Sequence, residues 1–535
     1  MKMVKSLLLG SAAGLVAMAG AQAADLPVKA KPVEYVKVCS IYGAGFYYIP
    51  GTDTCLKIGG FVRAEYNINA GGSHTPYWVG GSARDTRQDT AAYNTRTRGI
   101  VSFDARSQTE WGTLRSYIRA GWEMQSDTSE LGAEGDYRGR RYFDRAFIQF
   151  AGLTVGKTQS FFDFYADSLN YTTMVVSGSD TGHGINLIAY TATFGGGFSA
   201  TVSLEENTHR RTGMWGVGID AIAVGATPGL AQPNYGRYAA ERYPDIVANL
   251  RVDQPWGSAQ IMGAIHDASA ACYGTTCYST QTNVLPVVGG VNQDAQDSTG
   301  WAIGGGLKLN VPWAQGDEFW VQGTYAQGAA SYVGFNRYGT STNFAMYRTS
   351  GFTPGLSIGS IGAAWAFDGL YTAAGGTGGP VEQSEGFQFN AAFQHYWTPS
   401  LRTSVFGGYS ELSYPGTSAY ASVVPAGAPA IAAASVGTGA KGAFCAGLAA
   451  QAIFHAFTVN GCNPDFSITQ VGTRTIWSPV RNLDIGVEVL YTRLDQNFNG
   501  AFLLPASGGR PAGFYTARDQ DTWSGVLRFQ RNFWP

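Results

Sequence analysis

The sequence predicts an all-β fold: a transmembrane antiparallel β-barrel of sixteen strands, with eighteen as the alternative count. Three observations predict it. Segments of alternating apolar and polar residues recur along the chain, and the connections between them alternate short and long. Four short connections carry a tryptophan beside or one residue from a proline: Pro255-Trp256, Pro312-Trp313, Trp397-Thr398-Pro399 and Trp477-Ser478-Pro479. A wet turn of a soluble sheet gives an indole nothing to bury against, whereas the headgroup level of a bilayer holds its apolar body inward and its N–H outward. Trp256, Trp313, Trp397 and Trp477 are therefore expected to form an aromatic girdle on one rim.

Composition and address agree. Only 14% of the 535 residues are charged, against about 25% in a soluble domain, while glycine (72 residues) and aromatics (13%) are abundant. A mean hydropathy of −0.08 excludes a bundle of membrane helices. Lys2 and Lys5, the uncharged stretch 7–21 and Ala21-Gln22-Ala23 read as a secretory signal over 1–23, cleaved before Ala24. Without Lys2 and Lys5 the chain carries 34 basic and 38 acidic side chains, a net charge of −4, which argues against a nucleic-acid partner.

Six cysteines fall in local pairs: Cys39/Cys55, Cys272/Cys277 and Cys445/Cys462. In an exported chain such a set reads as disulfides closing loops, although six cysteines allow about 15 connectivities. None has CxxC spacing or a histidine at zinc spacing, so no metal and no cofactor is expected.

The first strand is the clearest. Leu56, Ile58, Gly60, Val62, Ala64, Tyr66 and Ile68 alternate with Lys57, Gly59, Phe61, Arg63, Glu65, Asn67 and Asn69, an oily face for lipid and a charged face for water. Further strands are expected at 95–108, 112–124, 141–151, 152–158, 184–194, 196–206, 243–253, 256–267, 300–311, 318–328, 386–397, 400–412, 466–477, 483–494 and 520–533. A weakly alternating segment near 356–368 is the source of the higher count. Short turns near 108–112, 151–153, 194–197, 253–257, 312–317, 397–400 and 478–482 alternate with long links. Short turns on one rim and long loops on the other is the bacterial outer-membrane pattern, in which an even strand count leaves both termini in the periplasm. In the last strand Trp523, Gly525, Leu527, Phe529, Arg531 and Phe533 share the outward face.

Period-2 alternation also sorts the cations. Lys57 and Arg63 point inward on the first strand, and Arg96, Arg98 and Arg106 do so on the second, in phase with Ser102 and Asp104. Arg115 and Arg119 follow on the third with Tyr117 and Glu123, and Arg141 and Arg145 on the fourth with Gln149. Strands lie about 4.8 Å apart, so arginines of equal height form a ladder. Its centre is expected at Arg63, Arg98, Arg119 and Arg145, with Lys157 closing the row. Lys57, Arg96, Arg106, Arg115 and Arg141 are secondary lumen cations. The alternative is that these arginines only line a wet lumen and pair with Asp104 or Glu123. The loop after Lys157, 159–183, carries Asp163, Asp167 and Asp180 among Phe161, Phe162, Phe164 and Tyr165.

Several stretches resemble the alphaproteobacterial outer-membrane porins, the general diffusion porins of rhizobial and brucellar type. They are Ala24-Asp25-Leu26-Pro27-Val28-Lys29-Ala30, Tyr42-Gly43-Ala44-Gly45-Phe46-Tyr47-Tyr48-Ile49-Pro50-Gly51-Thr52-Asp53-Thr54-Cys55, Ile58-Gly59-Gly60-Phe61-Val62-Arg63-Ala64-Glu65-Tyr66 and Arg145-Ala146-Phe147-Ile148-Gln149-Phe150-Ala151-Gly152-Leu153-Thr154-Val155-Gly156-Lys157. The resemblance is dense over 24–206 and in the last strands, and weaker around the long loops 329–385 and 413–465. It implies a homotrimeric, sixteen-stranded passive channel for ions and small hydrophilic solutes, whose third loop folds into the lumen and sets its aspartates against the basic wall. It also implies that a terminal aromatic, Phe533 or Trp534, is read by the barrel assembly machinery. Residues 24–55 are then a disulfide-closed periplasmic or lumenal piece, and 56–535 the barrel. Such a channel needs a narrow, charged place rather than a nucleophile, and the six scattered histidines argue against an enzyme. A substrate-specific channel and a structural or adhesion barrel are the alternative functions.

Overall fold

Sixteen strands close on themselves, each antiparallel to its neighbours. In this computed structural model the described residues are 37–70, 93–126, 140–171, 184–217, 238–239, 241–270, 297–335, 343–349, 359–372, 380–417, 439, 441–442, 444–445, 454–455, 461–504 and 512–533. The strands are β1 (Cys55–Ile68), β2 (Tyr93–Thr109), β3 (Gly112–Gln125), β4 (Arg140–Phe150), β5 (Leu153–Thr158), β6 (Ile185–Gly195), β7 (Phe198–Glu205), β8 (Asp245–Gln254), β9 (Gly257–Asp267), β10 (Thr299–Asn310), β11 (Glu318–Gln327), β12 (Glu385–Thr398), β13 (Leu401–Ser413), β14 (Phe466–Val480), β15 (Leu483–Gln496) and β16 (Gln520–Asn532). The seam closes where Phe61–Ile68 of β1 pairs with Asn532–Gly525 of β16. The expected segments and all seven short turns coincide with these elements. The signal segment, Cys272, Cys277, Asp180 and Trp534 lie outside the described residues.

Burial is inverted relative to a soluble sheet. On β1, Val62, Tyr66 and Ile68 are exposed while Glu65 and Asn67 are buried, because the outer face is solvated by lipid and the inner face by its own polar partners. The girdle tryptophans Trp256, Trp313, Trp397 and Trp477 are all exposed near the short turns, and Trp111 joins them. An opposite belt of paired rings includes Tyr66 with Tyr93, Trp301 with Tyr325 and Tyr491 with Trp523, at centroid distances of 5.0–5.5 Å.

The long links after β11, β13 and β15 do more than connect. Asn343–Thr349, Gly359–Trp365, Gly513–Ala517, Ala501–Leu504 and Phe454–His455 form a separate five-stranded sheet. The weakly alternating segment near 356–368 is therefore a strand of this cap and adds nothing to the barrel. The cap has its own core, with Tyr332, Trp365, Phe367, Phe444, Phe498 and Tyr515 buried against the inward Ala264, Ala302, Ala326, Ile468 and Leu494 of the barrel. The Cys445–Cys462 disulfide lies in the same core.

At the opposite end, Cys39 is bonded to Cys55. The segment before β1 folds onto inward side chains there: the Arg106 guanidinium stacks 4.9 Å from the Phe46 ring, and Lys57 Nζ donates to the Ala44 carbonyl at 3.3 Å.

The cap docks through buried polar groups. The Asp368 carboxylate accepts from Ala330 N at 2.6 Å and Thr212 N at 3.1 Å and lies 3.5 Å from His266 Nε2. His266 Nδ1 is 2.8 Å from Asp245, which also accepts from the Tyr332 hydroxyl at 2.7 Å. Burial pushes the Asp368 carboxyl up to about 7. The docked cap thus holds a proton that an undocked one releases, so docking is strongest below the ordinary carboxylate range and weakens as pH rises toward 7. Amide exchange at 329–335 and 361–368, corrected for intrinsic rates, should be slower at pH 5 than at pH 8, and Asp368→Asn should remove the difference. Equal protection at both pH values in the unaltered protein would contradict this.

Candidate functional site

Inward arginines of β1 to β4 form a continuous wall, but carboxylates are woven into it. Glu65 takes Arg96 and Arg528, each at 2.5 Å. Glu123 takes Arg98 at 2.5 Å and Arg96 at 3.8 Å. Asp104 takes Arg106 at 2.7 Å and Arg115 at 2.9 Å. Asp144 bonds Arg119 and lies 3.8 Å from Arg145. Each carboxylate serves two guanidinium groups, so pairing orders the wall without neutralising it. Arg63 has no carboxylate within 4.0 Å among the described residues; it donates to the Gln530 amide oxygen at 2.8 Å and stacks 4.7 Å from the Phe61 ring. Arg115 and Arg119 stay open to the lumen, 26% and 33% exposed.

Two expected members are absent from the wall. A β-bulge in β4 shifts the register between Arg119 and Ala120, which places one extra residue in the strand and reverses its phase. Asp144 and Arg145 both serve the inner face, and Arg141, opposite Trp122, is carried to the outer face and exposed. Lys157 is also outward. Thr154 pairs with inward Gln149, so Lys157, three residues on, falls on the opposite face beside exposed Asn186. Lys57 and Arg106 do face inward, beneath the N-terminal disulfide segment.

The chain after β5 leaves the wall and crosses the lumen along the strands opposite. Ser160 Oγ donates to Glu205 on β7 at 2.6 Å, and Asn249 Nδ2 on β8 donates to the Phe161 carbonyl at 2.6 Å. Tyr165 N donates to Gln322 Oε1 on β11 at 2.8 Å, Ser404 Oγ on β13 donates to the Leu169 carbonyl at 2.6 Å, and Tyr171 N donates to Glu488 on β15 at 2.5 Å. Ala166 and Asp167 turn the segment with φ of 50° and 52°. Aromatic rings fill recesses in the wall. A Cβ on Gly306 would lie 2.2 Å from Phe164, and one on Gly486 would lie 2.2 Å from the Tyr171 hydroxyl, so glycine at these inward positions makes room for the loop. From above, the Phe162 ring meets Tyr332 of the cap at 4.7 Å.

The loop acids contribute less open charge than expected. Asp163 is 7% exposed, and Asp167 accepts from Asn170 Nδ2 at 3.1 Å. Wall and loop meet at Arg528, whose guanidinium binds Glu65 and stacks 3.6 Å from the Tyr171 ring. Sequence reading passed over Asp144, Glu65 as a bridge, Arg528 and the two glycine recesses. The signal for the recesses was present: glycines stand at inward strand positions while the loop is rich in aromatics.

The profile of the Porin subfamily matches residues 25–526. Porin Omp2b of Brucella canis is 31% identical over 386 residues, covering 68% of this chain and 94% of that protein. Porin Omp2b of Brucella suis is 33% identical over 328 residues, covering 58% of this chain and 81% of that one. Among solved structures, the outer membrane channel DcaP of Acinetobacter baumannii aligns over 91% of this chain and 99% of its own, with a TM-score of 0.49 and 15% sequence identity.

The recesses make a prediction. Gly486→Val should displace Tyr171 and loosen the loop, raising single-channel conductance in planar bilayers and adding open-channel noise. Unchanged conductance and noise in a folded variant would show that the Gly486 recess does not hold the loop.

Proposed function

This chain belongs to the porin subfamily, forming an outer-membrane channel for solutes, and on that premise we propose a general, passive channel. Its narrowest passage runs between the arginine wall of β1–β4 (Arg63, Arg98, Arg119, Arg145) and the lumen-crossing loop. The observation that carries this reading is the sharing of each wall carboxylate by two guanidinium groups. It leaves an excess of fixed positive charge facing water, while the acids Asp163 and Asp167 are buried or bonded. A passing solute meets oriented charges on one side and aromatic rings on the other. Dipolar solutes align in that field, and apolar ones must displace ordered water. The field also favours anions over cations.

The channel assembles as a homotrimer through the outer face of β1–β3. There Ala64, Thr95, Thr97, Gly99 and Ala120 form a run of small residues between the large exposed side chains Val62, Tyr66, Phe103, Ile118 and Trp122. Small side chains permit close approach of backbones across a subunit contact. Phe533, 43% exposed beyond the end of β16 and bonded through its N–H to the Gly60 carbonyl at 3.0 Å, is the aromatic offered to the assembly machinery.

In planar bilayers the protein should give stable channels closing in three equal steps. Arg98→Glu combined with Arg119→Glu should move the reversal potential toward cations. An unmoved potential would remove the wall from the mechanism, and complete absence of conductance would leave only the structural or adhesion reading.

A further inference from the structure

Beneath the loop lies a cavity of about 350 Å³, bounded by Ser168, Asn170 and Tyr171 above and by inward side chains of β1 and β11–β16 around it. Its acids are already satisfied. Glu318 pairs with Lys308 Nζ at 2.8 Å, and Asp484 accepts from Ser478 at 2.5 Å and lies 3.5 Å from Arg402. Two of its cations have no such partner. Arg474 is 7% exposed, has no carboxylate within 4.0 Å among the described residues, and its Nε has no hydrogen-bond partner there. Its guanidinium stacks 4.9 Å from the Tyr171 ring, the ring that also carries Arg528. Arg63, across the cavity on β1, is bonded only to an amide oxygen.

Glu488 lies opposite Arg474 across the β14–β15 pair, but beyond contact distance, and a buried guanidinium with no carboxylate in contact is costly unless something supplies one. Three strand spacings separate β1 from β14, about 14 Å, and the register sets Arg474 level with Asn67, about 13 Å along β1 from Arg63, so the two backbones lie about 19 Å apart, a span that two extended arginine side chains and a small anion can fill. We propose that this cavity is a binding station for a small oxyanion, a carboxylate or a phosphate, held between Arg474 and Arg63. The planar fork of each guanidinium offers paired N–H donors that match two oxygens of one anion. The station sits on the far side of the loop from the cap, so an anion drawn through the wall's field rests there before release. This inference rests on the channel reading above and adds to it a saturable step for one class of solute.

The test uses the full-length protein in planar bilayers under a chloride electrolyte, with inorganic phosphate and succinate titrated separately. The expected result is a saturable fall in chloride current with at least one probe. Arg474→Gln should raise the half-blocking concentration about tenfold, the effect of losing one charge-assisted contact, and Arg63→Gln should act in the same direction. Arg474→Lys, which keeps the charge and loses the fork, should recover only part of the block. Block by both probes assigns the shared oxyanion chemistry, and block by one assigns that anion. Variants are compared only where they keep the unheated gel mobility of the folded barrel, and the second site gives an independent reading if the first variant fails to fold. Chloride current that neither probe blocks, or block that both variants leave unchanged, overturns the station and leaves the channel reading standing. No chloride current at all overturns both.

Discussion

The structure depends on a shortage of carboxylates. Along β1–β4 the inward arginines outnumber the acids placed among them, and each acid is divided between two guanidinium groups. Glu65 shows what this accomplishes. It bridges Arg96 on one side and Arg528 on the other, tying β2 to β16 across the seam that closes the barrel. All three side chains are nearly buried, so losing Glu65 would strand Arg528 and leave Arg96 only its longer contact to Glu123, at a cost of about 3–5 kcal/mol. The same arrangement holds the arginines extended in fixed positions and leaves them half compensated, which suits a surface meant to act on passing charge.

The loop's position follows from the other side of the barrel. It is held by hydrogen bonds from polar side chains on β7, β8, β11, β13 and β15, and its rings enter recesses that only glycine permits at Gly306 and Gly486. The cap of long-link strands supports it through the Phe162–Tyr332 ring contact. Cap, loop and strands β8–β11 and β13–β15 share one apolar cluster, facing the arginine wall. Arg528 is the joint between the halves, salt-bridged to the wall and stacked on the loop.

Much of this was legible in the chain. Period-2 alternation located all sixteen strands, because one face had to be oily along its whole length, and the Trp–Pro turns marked the short-turn rim. Alternation failed where a single residue was inserted: the β4 bulge at Asp144 and Arg145 moved Arg141 outward, and nothing in the local pattern announces a bulge. Lys157 was misplaced because its strand is only six residues long, too short for its phase to be read without its neighbours. The cap was missed for a different reason. Its strands are short and come from three separate links, so its core exists only once the barrel has brought them together. A trace of it was visible in Ala264, Ala302, Ala326 and Ile468, apolar residues at inward positions where a wet lumen calls for polar ones.

A wall with more guanidinium than carboxylate, facing a loop whose described acids are buried or hydrogen-bonded, should make the passage selective by charge. The most direct test is the zero-current potential of the unaltered protein across a KCl gradient in a planar bilayer. The potential should have the sign set by chloride and shrink as salt is raised and the wall is screened. A potential of the sign set by potassium, or one independent of salt, would contradict it.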